Sequence, residues 1–223
     1  MTFRLWGRPS SSRTRKVTMA LAELGIDFEY ILAGATTGPD GPVSKGGKPY
    51  GVVDTPEYLE MNPNGTVPTI DDNGYVLWES NAIVQYLGIK YNAALFYCDD
   101  TKIFASASRW MMWDNNQLLT PMRNLRNHLY RLPKAERDPE IAERAQQELI
   151  KELSKVERQL GKTEYLAADR WTMADIPMAI RCHRWHLFDI ERPEMPNFER
   201  YYEAVKVRPS FEATIDPALH ANG

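Results

Sequence analysis

The chain has 223 residues, a formal net charge of -3, 43% hydrophobic residues and 26% charged residues. That length accommodates one large domain or two modest ones, and 11% aromatic residues give it large apolar surfaces to bury, which argues against disorder. The acidic balance offers no global attraction to nucleic acid or to an anionic membrane, and no apolar run reaches the length of a membrane span.

The opening run Met-Thr-Phe-Arg-Leu-Trp-Gly-Arg lacks the basic start, apolar stretch and small-residue cleavage site of a secretion signal. Cys98 and Cys182 are far apart and form no Cys-x-x-Cys pair. A disulfide scaffold is therefore not indicated, both read as ordinary thiols, and the cytoplasm is the expected compartment.

In chain order, Phe3-Arg4-Leu5-Trp6 alternates as a half-buried strand does. Gly7, Arg8, Pro9 and the serines Ser10, Ser11 and Ser12 supply turn chemistry. Val17, Leu21 and Leu24 then recur at helical spacing, with Gly25 as the stop. Phe28, Tyr30 and Leu32 predict a second strand, completing a strand–helix–strand unit that makes parallel neighbours. From Gly34 to Gly51 the chain is crowded with Gly, Pro, Lys and Ser and reads as a long exposed loop. Val67–Ile70 and Tyr75–Trp78 flank Asn73-Gly74, a hairpin signal, and a helix opens at Glu79-Ser80 with Ile83, Tyr86 and Leu87 on one side.

Beyond Asp99 the pattern is helical. Ile141, Ala145, Leu149, Leu153, Val156 and Leu160 are spaced by three or four, and Gly161 is the expected cap. Strands followed by a run of helices predict an α+β unit joined to an all-helical one, with the boundary in Tyr91 to Tyr97. Thr172-x-x-Asp175 fits a capping box with Asp in place of Glu, and Trp171 and Ile176 flank it as a hydrophobic staple would. A structural role for Asp175 is favoured over acid–base work.

Three places carry candidate chemistry. Pro68, at a strand start, belongs on an edge or at a bend; a cis bond there would expose the Val67 backbone to an extended peptide, whereas an ordinary trans proline is the commoner case. Glu79-Ser80 opens a helix where exposed amides favour a carboxylate, or where the two residues simply cap. The serine turn sits at the start of the first helix among Arg8, Arg13, Arg15 and Lys16, a cluster that reads by default as a solvated helix start. No Gly-x-Ser-x-Gly elbow surrounds the serines, and His128, His183, His186 and His220 all lie in the far half, so a serine–histidine hydrolase is weakly supported.

Taken in order, the strand, serine turn and helix, then Asn62-Pro63-Asn64-Gly65-Thr66-Val67-Pro68, Trp78-Glu79-Ser80-Asn81-Ala82-Ile83 and Trp171-Thr172-Met173-Ala174-Asp175-Ile176, closely resemble the glutathione transferase family over nearly the whole chain. The resemblance implies a thioredoxin-like α+β domain over residues 1–90 that binds glutathione, followed by an all-α helical domain over 97–223 that contributes the electrophile site. It also implies a cis Pro68, a Val67 backbone paired with the cysteinyl part of glutathione, and Glu79 and Ser80 on the γ-glutamyl end. Because the first turn has serines and no Tyr, the serine type, theta- or zeta-like, fits. Counting back from Gly25 puts Ser11 on the catalytic position, with Ser12 and Arg13 beside it and Ser10 next in line. Arg13 stands where zeta-like members have Cys, which makes isomerase chemistry the least favoured.

The same resemblance assigns Trp6, Arg109, Trp110, Met112, Trp113 and Asn116 to an apolar electrophile pocket; Met and Trp at helical spacing are more often core, so one of Trp110 and Trp113 is expected in the core and the other at the cleft. Lys45 or Lys48 in the long loop would reach the glycine carboxylate of glutathione, although a plain surface loop is slightly favoured. Glutathione is the expected co-substrate, with no metal, and a cytoplasmic, detoxifying homodimer without nucleic-acid or membrane partners is implied. Three activities stay open: conjugation to a small apolar electrophile, glutathione-dependent disulfide or peroxide reduction, and a non-catalytic interaction module of the same fold.

Overall fold

The computed structural model describes residues 3–34, 36–38, 41–43, 52–92, 94, 96 and 99–214. The first half contains β1 (Phe3–Gly7), α1 (Ser12–Leu24), β2 (Glu29–Leu32), β3 (Thr36–Gly38), β4 (Gly41–Val43), α2 (Pro56–Met61), β5 (Thr69–Asp72), β6 (Tyr75–Trp78) and α3 (Ser80–Tyr91). Its main sheet has the order β2-β1-β5-β6. The pair β1–β2 is parallel, with Leu5 opposite Tyr30, and both β1–β5 and β5–β6 are antiparallel.

The predicted turn chemistry is visible at two positions. Gly25 ends α1 at φ 64, and its amide reaches back to the carbonyls of Ala22 and Leu21; a left-handed residue at a helix end favours Gly because no Cβ meets the carbonyl. Asn73 at φ 54 and Gly74 at φ 95 turn β5 into β6, two consecutive positive φ values that match the twist of the flanking strands. The stretch predicted as one long loop instead contains the β3–β4 hairpin, with Thr36 opposite Val43. Thr and Val at positions 36, 37 and 43 are residue types enriched in strands. Lys45 and Lys48 lie outside the described residues.

The second half is helical: α4 (Thr101–Trp113), α5 (Leu119–Arg126), α6 (Pro139–Leu160), α7 (Asp175–Leu187), α8 (Pro196–Lys206) and α9 (Pro209–Thr214). Two π-helical turns, Asp114–Leu118 and Asn127–Arg131, bracket α5. Asp138 caps α6 by accepting from the amides of Glu140 and Ile141. Its predicted stop, Gly161, has φ -74 and is right-handed, so α6 ends without a left-handed cap. The nearby Asn197 Nδ2 would stand 3.3 Å from a Cβ at Gly161. Glu157 near the end of α6 instead caps α8, accepting from the amides of Asn197 and Phe198.

The Thr172–Asp175 motif closes as a variant of the predicted box. Asp175 Oδ2 reaches back to the Thr172 amide at 2.8 Å, as expected. The Thr172 hydroxyl accepts from Ala174 at 3.3 Å, while the Asp175 amide bonds the Thr172 carbonyl at 3.1 Å. The reason is that a turn precedes α7, so the threonine lies three residues ahead of the first helical residue.

One apolar core runs from Leu5, Leu21 and Ile70 of the sheet half to Leu153, Ile176 and Phe198 of the helical half. A smaller cluster of Trp6, Ala33, Val53 and Tyr58 lies on another side of the sheet half. Within the interface, α1 packs on α3, α7 and α9. The bidentate pair of Arg208 with Glu23, at 2.7 Å for each contact, adds a polar tie between α1 and the helical half.

Candidate functional site

The first site residue is set by a helix start. Ser11 has extended dihedrals (φ -80, ψ 117), and its hydroxyl oxygen accepts from the Thr14 amide at 3.3 Å. A serine there satisfies one of the orphan donors of α1. Among the described residues its own O–H donates to no protein acceptor, which leaves that proton available to a ligand. Gly7 makes the tight entry possible, because a Cβ at that position would lie 2.4 Å from Thr14 Cγ2. The basic residues after the turn are not solvated as expected: Arg15 and Lys16 are buried, and Arg15 Nε donates to the Pro9 carbonyl at 2.7 Å.

The second group of residues lines a cavity of about 240 Å³: Arg13, Asn64, Thr66, Val67, Pro68, Trp78, Glu79 and Ser80. The Val67–Pro68 bond is cis, and Val67 lies just ahead of Thr69, the first residue of β5. The loop before it is fixed by side chains that take up its backbone. Tyr58 Oη donates to the Thr66 carbonyl at 2.7 Å and lies 2.8 Å from the Thr69 hydroxyl. Asn62 Nδ2 donates to the same carbonyl at 2.8 Å. Tyr58 and Asn62 are both buried, so these bonds are shielded from water.

Glu79 joins β6 to α3 at φ 74 and ψ 110. That conformation is strained for a residue with a side chain. It lets the carboxylate face the start of its own helix, where Oε1 accepts from the Asn81 amide at 3.3 Å and from Asn115 Nδ2 at 3.4 Å. Ser80 follows, buried, at the first position of α3. The helix start can receive an anion, and Glu79 can receive an ammonium.

A second cavity, about 230 Å³, adjoins through Arg13, which lines both; its wall also carries Ser10, Ser11 and Ser12. The helical half contributes Leu119, Met122, Arg123 and Arg126 from α5, and Arg181 and Arg184 from α7. Arg181 is neutralised: its Nε and Nη2 meet the two oxygens of Asp114 at 2.6 and 3.2 Å. The others crowd one another. Burial, then the charges of Arg131, Arg8, Arg123 and Arg181, push Arg126 down to about 10. Burial and the neighbouring guanidiniums, Arg126 foremost, likewise push Arg184 well below its usual value.

The structure brings Ser11, Ser12 and Arg13 to one wall, and Val67, Pro68, Glu79 and Ser80 to the adjoining one. It does not bring the expected electrophile residues there. Trp6 is buried in the smaller core cluster. Trp110 and Trp113 meet edge to face at 5.2 Å, with the Arg109 guanidinium 5.8 Å from the Trp110 ring. Met112 and Asn116 are exposed. Neither cavity is lined by any of these residues. The residues that do line it could have been suspected from Arg123/Arg126 and Arg181/Arg184, two arginine pairs at the three-residue spacing that shares a helix face. Cys182 is buried, and burial pushes its thiol well above the usual range, so it is not a reactive thiol. Among the described residues no group of three or more His, Cys, Asp or Glu side chains could hold a metal ion, and no helix is long and apolar enough to cross a membrane.

Comparison with known proteins places the chain in a family. Residues 10–89 match the family model of the glutathione S-transferase N-terminal domain, and residues 122–214 match that of the glutathione S-transferase C-terminal domain. Glutathione S-transferase GstB of Escherichia coli is 30% identical over 213 residues, spanning 95% of this chain and 96% of its own. Glutathione S-transferase 3 of Zea mays is 29% identical, over 95% and 92% of the two chains. The theta class glutathione S-transferase of Xanthomonas axonopodis pv. citri, solved with glutathione bound, superposes with a TM-score of 0.86 at 34% identity, covering 98% of this chain and 99% of that one. With a four-stranded α+β half, an all-helical half, a cis proline ahead of β5 and relatives matched over nearly their full length, the chain belongs to the glutathione S-transferase family.

Proposed function

We propose that the protein conjugates glutathione to a small electrophile, with the Ser11 hydroxyl donating a hydrogen bond to the glutathione sulfur. The observation that carries the reading is the adjacency of two cavities joined at Arg13, one walled by Val67, Glu79 and Ser80 and the other by Ser11. In this reading the Val67 backbone pairs with the cysteinyl unit. The α3 start with Ser80 takes the γ-glutamyl carboxylate, and Glu79 takes its ammonium. The thiol then reaches the serine turn.

A free thiol titrates at ~8.5 and is mostly protonated at neutral pH. A donor to the sulfur favours the thiolate, as does nearby positive charge, and each pKa unit gained corresponds to about 1.4 kcal/mol between the two protonation states. Ser11 is therefore a hydrogen-bond donor, and glutathione supplies the nucleophile. Ser12 and Arg13 flank it, Arg13 adding positive charge. The turn holds serines and no cysteine, which favours conjugation over glutathione-dependent reduction. The Xanthomonas relative, solved with glutathione, supports glutathione as the co-substrate here. A cytoplasmic homodimer that disposes of harmful electrophiles completes the reading; the exposed Ile89, Tyr91 and Met112 support self-association, which light scattering would check.

The test is the Ser11→Ala variant, followed by thiolate absorbance of bound glutathione across pH. The pKa of the bound thiol is expected to rise by about one unit or more. A titration curve identical to that of the unsubstituted protein would rule out the serine's role. Failure of glutathione to bind at all would instead favour a non-catalytic module.

A further inference from the structure

We propose that the cavity beside Ser11 selects electrophiles that carry a carboxylate or another compact anionic group. The inference rests on the conjugation reading above and names the substrate class of that same site.

Six arginines line a space of about 230 Å³: Arg8, Arg13, Arg123, Arg126, Arg181 and Arg184. Of Arg13, Arg123, Arg126, Arg181 and Arg184, only Arg181 has a carboxylate partner among the described residues, Asp114, and that carboxylate is already shared with Lys16. Arg13, Arg123, Arg126 and Arg184 make no ion pair there, and Arg126 Nε is buried with no hydrogen-bond acceptor. Buried donors normally have partners, and a cation held in low dielectric without one is costly. Burial, and after it the repulsion of neighbouring guanidiniums, depresses Arg126 and Arg184, in keeping with the same excess of charge.

A cluster of this kind is relieved by a ligand that brings the missing acceptors. The guanidinium fork matches the two oxygens of a carboxylate, which makes arginine the side chain suited to bind that group. Leu119 and Met122 on the same wall offer contact to the apolar body of such a molecule. Glutathione's γ-glutamyl carboxylate is given a separate receptor at the start of α3, in the other cavity, whose lining does not include Arg123, Arg126 or Arg184.

The chemistry balances without an added reactant. The glutathione sulfur attacks the carbon that carries the leaving group, the sulfur–carbon bond forms, the carbon–halogen bond breaks, and the halide departs with the bonding pair. The thiol proton passes to solvent.

The experiment compares 4-chloro-3-nitrobenzoate with 4-chloro-3-nitrobenzamide as electrophiles, each kcat/KM divided by its uncatalysed rate constant. The unsubstituted protein is expected to prefer the carboxylate by about tenfold or more. The variants Arg126→Gln and Arg184→Gln should bring that ratio close to parity, and Arg126→Lys should keep part of it. Arg123→Gln, at an exposed position, guards against a folding defect and should also lower the ratio. No preference for the carboxylate, or a ratio untouched by all three glutamine variants, overturns the inference. So does an unchanged ratio with a raised KM for glutathione, since the arginines would then hold glutathione itself. Turnover of the amide without preference for the acid leaves the transferase reading standing while this inference falls. Should neither compound react, calorimetry with benzoate decides: saturable binding, weakened about tenfold in the variants, supports the anion site, and its absence overturns it.

Discussion

Lys16 Nζ lies 2.8 Å from Asp114 Oδ2, with both side chains removed from solvent, and Arg181 Nε meets the other oxygen of the same carboxylate at 2.6 Å. Asn81 completes the group, accepting from Lys16 at 3.1 Å and donating to the Met111 carbonyl at 2.8 Å. The cluster draws on α1 and α3 of the sheet half and on the π-turn and α7 of the helical half. Two buried cations on one anion make Asp114 the residue whose loss is least tolerable. Asp114→Leu is expected to destabilise the protein by about 3–5 kcal/mol, because it strands two charges in the interior. Denaturant unfolding measures this; a loss below about 1 kcal/mol would contradict the buried arrangement.

Acid should weaken the same joint. Burial alone would raise the Asp114 carboxyl, but Arg181 and Lys16 outweigh it and hold it down at about 2. Asp72 is also held at about 2: burial acts upward, and hydrogen bonds from Lys90, Tyr91, Tyr86 and Asn73 prevail. A carboxyl depressed in the folded state stabilises it above the unfolded pKa of about 3.9 and loses that contribution as pH falls toward the folded value. Stability should therefore decline between about pH 4 and pH 2, with Asp114 responsible for about 2 kcal/mol of it. In Asp114→Asn, unfolding free energy plotted against pH should be flatter across that window.

Ser11 both caps α1 and is proposed to serve a sulfur, and substitution can separate the two tasks. Glycine at a helix cap costs only a few tenths of a kcal/mol, whereas alanine costs about 1. Ser11→Gly is thus expected to lower activity as much as Ser11→Ala while unfolding at nearly the original temperature. Ser11→Asp should retain the cap and be the least active of the three, since a carboxylate next to a thiolate disfavours its formation. Melting temperatures and pH–rate profiles of the set check both halves; parallel losses of stability and activity across all three would tie the effect to folding.

Glu79 holds a positive φ that costs of order 1–3 kcal/mol for a residue bearing a Cβ. Glu79→Gly should relieve part of that cost, leaving thermal stability unchanged or raised by about 1 kcal/mol despite the lost cap. Its KM for glutathione should rise about tenfold with the loss of the carboxylate partner. Stability gained together with binding lost would identify the strain as serving the ligand; a destabilised variant would refute that.

Legibility in the sequence followed the range of the interactions. Gly25, Asn73-Gly74 and the apolar stripe of α6 report contacts within a few residues, and each element formed where the pattern put it. The Asp175 reach-back to Thr172 was equally local. Lys16 read as a solvated residue because its partners, Asn81, Asp114 and Asn115, are 65 to 99 positions away, and composition carries no trace of such a pairing. The π-turns on either side of α5 left no signal either. The cavity beside the turn of serines is lined from α5 and α7, and neither Trp110 nor Trp113 lines it. The order of motifs identified the family; the walls of its second cavity depended on packing that no single segment encodes.

The buried cluster around Asp114 also bears on modularity. A chain cut between Tyr91 and Thr101 would yield a sheet half with Lys16 unpaired and a helical half with Asp114 and Arg181 opened to water, and both would lose part of the shared apolar core. Neither half should therefore behave as an exchangeable unit. Chimeras that swap the helical half among relatives will require the lysine, the aspartate and the arginine to travel as a set, and calorimetry of the intact chain should record one transition in which sheet and helices melt together.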